Sequence, residues 1–146
     1  MKALSVRQCW AWAIVQGYKL VENRTWATEY RGLIAIHASL SNEDMASSSH
    51  VLREHGIVHP ADPPRGCIVG TVRLKGICRR KELPALGLVA PEYSNFATGP
   101  YCWILDTPRI LVSPIELQGR QRLFKIEPAA LEILHNSQFI IEGGPS

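Results

Sequence analysis

Apolar and polar positions along the chain change period several times, and each change marks an element. Lys2 to Val6 reads as a short strand. Arg7 to Val15 then carries Trp10, Ala13, Ile14 and Gly17 at helical spacing, predicting a short helix with those residues as its buried stripe and Trp12 on the opposite side. Ser5 is the expected N-cap, with Val6 or Arg7 as alternative boundaries, and the free N–H groups near Gln8 to Trp10 would face whatever a neighbouring cleft holds. Gly17 is placed to stop the helix. From Leu20 the pattern alternates, so that Leu20, Glu22, Arg24 and Trp26 share one strand face and Val21, Asn23 and Thr25 the other. Two opposite charges and an indole on one face are unusual for a strand built only to pack.

Further along, Glu29 to Gly32 turns the chain into an all-apolar strand from Leu33 to His37, and Asn42 to His55 reads as a helix ended by Gly56. Gly66 to Ile77 gives the clearest strand, with Ile68, Gly70, Val72 and Leu74 expected inward and Val69, Thr71, Arg73 and Lys75 outward. Arg79 to Thr98, broken by Pro84, Gly87 and Pro91, is expected to be a mobile flap over a site. Tyr101 to Asp106 is a strand that Pro108 should limit, with another at Ile110 to Val112. A strand within Gln121 to Ile126, a helix begun by Pro128 and running to His135, and a return to the sheet at Phe139 to Ile141 complete the prediction. The fold class this implies is α+β and mostly β, with two or three helices and one domain over residues 1–146.

Composition narrows the classes of function. With 46% hydrophobic residues among 146, the chain can bury a core. No apolar run approaches the ~18 to 20 residues that span a bilayer, and the N-terminus lacks a leader pattern. A cytoplasmic location without membrane attachment is therefore expected. Cys9, Cys67, Cys78 and Cys102 form no Cys-x-x-Cys pair, and Gly56 and Pro60 break any helix that would align His55 with His59, so no metal is expected. The chain has no P-loop, Rossmann glycine pattern or recognisable Ser/His/Asp spacing.

A formal charge of +3 permits a polyanionic partner without requiring one. Arg73, Lys75, Arg79, Arg80 and Lys81 form one basic group, and Arg120, Arg122 and Lys125 a second. Each is either a solvated strand end or a phosphate-contacting rim.

Three ordered pieces carry a resemblance: Ser5-Val6-Arg7-Gln8-Cys9-Trp10-Ala11, then Gly17-x-Lys19-x-x-Glu22-x-Arg24, then Arg31-Gly32-x-x-x-Ile36-His37-Ala38-Ser39. Together they are similar to the ASCH (activating signal cointegrator homology) family, whose signature is the middle piece. The resemblance covers about the first forty residues closely. It implies a PUA-like fold, a small bent β-barrel with a helix beside a cleft, and a nucleic-acid or modified-base binding module. Cys9 stands where many relatives have proline, which removes one constraint on the helix start.

Lys19, Glu22 and Arg24 are then the leading ligand-site candidates, against the alternative of a surface charge network worth ~0 to 1 kcal/mol. Arg7 could bind phosphate or stack, and Gln8 could read a base edge. Trp12 and Trp26 are candidate stacking platforms, with core packing as the alternative for each, whereas Trp10 is expected in the core. His37 is a minor candidate, more simply a histidine satisfied by backbone. The expected partner is single-stranded RNA or a modified nucleoside, with DNA also possible, and no cofactor. The alternative from the same resemblance is a hydrolase, either an amidohydrolase of N4-acylated cytidine nucleosides or a ribonuclease, with Lys19 and Glu22 catalytic. The deacetylating relatives use a lysine, a threonine and a glutamate. Lys19 matches their lysine, but Glu22 occupies the threonine position, which puts that reaction in doubt. A third alternative is a protein-binding adaptor.

Overall fold

The computed structural model describes residues 1–141. Its frame is one mixed sheet of six strands in the order β2-β5-β4-β3-β1-β6, with β1 Lys2–Val6, β2 Val21–Arg24, β3 Gly32–Ala38, β4 Cys67–Cys78, β5 Tyr101–Glu116 and β6 Leu123–Lys125. Only β1 and β3 run parallel; the other neighbours are antiparallel. Four helices, α1 Trp10–Val15, α2 Met45–Glu54, α3 Pro91–Ser94 and α4 Pro128–His135, flank the sheet. The fold is thus α+β, mostly β and PUA-like, as the sequence and its resemblance predict, and α3 is an additional single turn.

The sheet curls into a half-barrel, and one hydrogen bond measures how far. Arg24 on edge strand β2 donates from Nη2 to the carbonyl of Ser5 on β1, 2.6 Å away, although three strands lie between them in the sheet order. The inside of the curl holds Leu4, Ile34, Ile36, Val72, Trp103 and Leu105, closed by Ala11, Ile14 and Val15 of α1. On the outer face Ala3, Ala35, Ile68 and Phe124 meet Ala130 and Leu134 of α4. A third cluster joins α1 to α2 and to the segment before β5, through Cys9, Ala13, Leu52, Leu83 and Phe96.

Close approach dictates Gly70. A Cβ there would lie 2.1 Å from the Arg109 carbonyl oxygen and 2.8 Å from Val15 Cγ1, so only glycine lets β5 and α1 meet β4 at this point.

Several sequence expectations are corrected. Strand β5 is continuous through Pro108, because the β4–β5 register shifts between Thr71/Arg73 and the proline falls in the irregularity, where no ladder N–H is needed. Thr107 there has φ +50°. A further shift between Ile68 and Gly70 breaks the alternation of β4, so that Val69 joins Val72 and Leu74 in the inner core, while Thr71 keeps the outer side opposite Ala35 and is buried there. The helix expected from Arg7 starts at Trp10, with Cys9 and not Ser5 at its N-cap, and Ser5 belongs to β1. Helix α2 begins at Met45 behind Asp44, and the expected return of the C-terminal segment is a single bridge, Phe139 to Leu111.

The segment from Arg79 to Thr98 is a packed wall rather than a loose flap. It contains a 3-10 turn at Arg80–Glu82 and helix α3, and Leu83, Phe96 and Ala97 are buried. Asn23 fixes its far end: Nδ2 donates to the Phe96 carbonyl, and Oδ1 accepts from the Thr98 and Gly99 N–H groups.

Candidate functional site

Because the sheet curls without closing, its two edges leave a cleft of about 850 Å³ between them. Strand β2 and its continuation through Thr25 and Trp26 form one bank, the end of β1 with Arg7 and the Arg120–Arg122 turn before β6 form another, and Phe96 and Thr98 close the side. The volume lies within the range of small-molecule pockets.

Its floor is a chain of three charges. Lys19 Nζ donates to Glu22 Oε1 at 2.8 Å and to the Val21 carbonyl at 2.6 Å. Arg24 Nε donates to Glu22 Oε2 at 3.0 Å. Lys19 and Glu22 are only 2% and 7% exposed, so this is no surface network. Burial pushes the Glu22 carboxyl upward, but the charges of Lys19 and Arg24, with their hydrogen bonds, outweigh it and hold the pKa below the ordinary carboxylate value. Glu22 is therefore an ionised acceptor with a cation on each oxygen, and the floor carries a net charge of +1 from one carboxylate and two cations.

Aromatic walls stand beside this floor. Lys19 Nζ lies 5.3 Å from the centre of the Trp10 ring. Trp26 meets buried Trp103 edge-on at 4.8 Å, and Trp103 Nε1 donates to the Trp26 carbonyl. The Arg122 guanidinium lies over the Trp26 ring at 4.9 Å. Arg122 has φ +58°, a left-handed conformation that bends the turn. Arg7 reaches the rim, braced by Glu43 at 2.9 Å and Asp44 at 3.5 Å.

Of the residues predicted for the site, Arg7, Lys19, Glu22, Arg24 and Trp26 line the cleft together. The others lie elsewhere. Gln8 is fully buried: its Nε2 donates to the Pro64 carbonyl, and its Oε1 accepts from the Trp12 N–H, so it has no amide face for a base. Trp12 stacks on Tyr18 at 5.5 Å and borders a separate apolar hollow of about 240 Å³. At the helix tip the Cys9 N–H donates to Ser48 Oγ at 2.7 Å and the Ala11 N–H to the Arg7 carbonyl, so neither is left for a ligand.

His37 is buried, with Nδ1 on Ser5 Oγ at 2.9 Å and Nε2 on the Leu117 carbonyl, and burial holds its pKa below the ordinary value despite that carbonyl bond. It is the backbone-satisfied histidine of the simpler reading. Arg73 pairs with Asp106 through two short hydrogen bonds, and Arg79 lies over Tyr101 at 5.1 Å. Neither they nor Lys75 and Arg80 border the cleft.

Trp10, expected in the core, is half-buried: it packs against two of the core clusters and also borders the cleft. Helical spacing identified the stripe but not that its first residue overhangs the cavity. Arg120 and Arg122 were visible as a basic pair one residue apart; nothing in the sequence pointed to Phe96 or Thr98.

All four cysteines are free thiols, and burial raises their pKa. Among the described residues no group of three or more His, Cys, Asp or Glu could hold a metal ion, and no helix is long and apolar enough to cross a membrane.

A family model for the ASCH domain matches residues 4–109. Human Activating signal cointegrator 1 is 28% identical over 130 residues, which is 85% of this chain and 22% of that protein, and the mouse protein is 27% identical over the same shares. The chain thus spans 22% of the length of the curated relatives it matches. The crystal structure of ASCH from Zymomonas mobilis superposes with a TM-score of 0.60 at 16% identity, covering 94% of this chain and 95% of that one, a likeness of fold.

Proposed function

The chain belongs to the ASCH domain family, which is associated with RNA-binding or RNA-related function, and from that premise we propose that its cleft takes an unpaired nucleotide of single-stranded RNA, or a modified nucleoside. One observation carries this reading: Lys19, Glu22 and Arg24 converge on the floor of an open cleft whose walls include Trp10 and Trp26 and whose rim carries Arg7, Arg120 and Arg122. Single-stranded nucleic acid is held by this combination of aromatic faces and cations, with the rim on phosphate and an indole under a base.

Binding is favoured over hydrolysis by the state of Glu22. A carboxylate with a depressed pKa and a cation on each oxygen is a weak general base near neutral pH, because its proton affinity has been reduced by the same contacts that hold it. The experiment is retention of a short single-stranded RNA at low salt, followed by chromatography of the RNA and of N4-acetylcytidine incubated with the protein. Retained, uncleaved RNA and unchanged nucleoside are expected. Absence of retention removes the RNA reading, and conversion of either compound replaces binding with the hydrolase.

A further inference from the structure

Five cations line the cleft, and their partners sort them. Lys19 and Arg24 share the Glu22 carboxylate, and Arg7 is held by Glu43 and Asp44. Arg120 stands 3.7 Å from Glu127 on an exposed turn. Arg122 alone among them makes no ion pair among the described residues; its guanidinium lies instead over the Trp26 ring at 4.9 Å. Because Arg122 is exposed, this contact occupies the solvent side of the indole. Toward the core Trp26 packs against fully buried Trp103, with the ring planes 81° apart. A base can therefore stack on Trp26 only where Arg122 now lies.

We infer that the cleft takes a phosphate-bearing nucleotide rather than a free nucleoside, because a base reaches Trp26 only when a ligand phosphate draws Arg122 off the ring. This rests on the RNA-binding reading above and chooses between the ligands it allows. A cation over an indole is attracted by the negative face of the ring, and a stacking base forfeits that attraction. A phosphate beside the base gives the displaced guanidinium a charge-assisted, two-pronged partner, which more than offsets the loss. A nucleoside offers nothing in exchange.

The turn permits the movement, since an exposed side chain can swing without unpacking the core. The other paired cations are poorer phosphate sites. An anion on Lys19, Arg24 or Arg7 would also approach the carboxylate that holds that cation.

The test is competition against a fluorescein-labelled oligouridylate about eight nucleotides long, read by anisotropy. The competitors are the common ribonucleosides and their 5′- and 3′-monophosphates, with the unaltered protein and with R122A. In the unaltered protein the better monophosphate is expected to compete about tenfold or more tighter than its nucleoside. In R122A the nucleoside should compete about two- to fivefold tighter than it does with the unaltered protein, the equivalent of one exposed cation–π contact. The monophosphate's advantage should shrink towards parity. R122G, which suits the left-handed backbone at this position, repeats the comparison should the alanine variant fail to fold. Equal competition by nucleoside and monophosphate in the unaltered protein, a nucleoside that gains nothing from R122A, or an undiminished monophosphate advantage in R122A overturns the inference. Labelled RNA bound by the unaltered protein then leaves the RNA reading standing, whereas no binding of that RNA removes both.

Discussion

Lys19 Nζ and Glu22 Oε1 meet at 2.8 Å with their side chains 3% and 10% exposed, an ion pair three residues apart that is almost withdrawn from water. Arg24 holds the second oxygen of the same carboxylate. The three are one unit, whose members lose their compensation together.

Removing the carboxylate should therefore cost most. Glu22→Ala leaves Lys19 buried with only the Val21 carbonyl as acceptor, and should lower unfolding stability by about 3 to 5 kcal/mol. Lys19→Met leaves Glu22 its arginine and should cost less. Urea unfolding of both single variants and the double variant checks this, the double costing less than the sum because the contacts are shared.

Stability should fall with acidity in two windows. His37 is held below the ordinary histidine value of 6.5 by burial, so the unfolded chain binds its proton first, and the His37 contribution is lost as pH falls from 6.5 through the folded pKa. Glu22 is held below 4.5 by Lys19 and Arg24 against its own burial, so its contribution, fully present above that value, is lost as pH falls further. Unfolding midpoints measured across the acid range should show both steps. Glu22→Gln should remove the Glu22 part of the lower step and leave the one beginning near 6.5.

The rim should govern salt dependence. Arg120 and Arg122 are exposed, so Arg120→Gln with Arg122→Gln should leave the melting temperature nearly unchanged. If each contacts a phosphate, the log–log slope of RNA affinity against salt should become shallower by roughly 1.4, about 0.7 for each charge removed. A titration series at several salt concentrations gives the slope directly.

Indole fluorescence separates the cleft from its surroundings. RNA should quench Trp10 or Trp26 emission, and the quenching should persist in Trp12→Phe, whose ring lies against Tyr18 outside the cleft. Trp26→Ala should weaken RNA affinity by about 1 to 3 kcal/mol if a base stacks there. An undiminished affinity in that variant would place the stacking face on Trp10 instead.

Gly70→Ala should be among the most destabilising single substitutions. The new methyl would meet the Arg109 carbonyl oxygen at 2.1 Å, and backbone at that distance cannot yield as a side chain can. A loss above about 3 kcal/mol is expected, beyond ordinary overpacking. Thermal unfolding is sufficient to test it.

Local pattern determined much of this protein. Alternation marked β2 and β4, an unbroken apolar run marked β3, Pro128 marked the start of α4, and the spaced lysine, glutamate and arginine marked the cleft floor, because each depends on residues a few positions apart. It misjudged what depends on separation along the chain. The bulges that carry β5 through Pro108 and bring Val69 into the inner core arise from pairing between strands more than thirty residues apart. The curl of the sheet decided the rest: it brought Arg24 to Ser5 and Arg122 to Trp26, put Trp10 in the wall and left Trp12, Gln8 and His37 elsewhere. Periodicity states which residues share a face of one element, and only the closure of distant elements on one another decides whether that face meets core, water or a cleft.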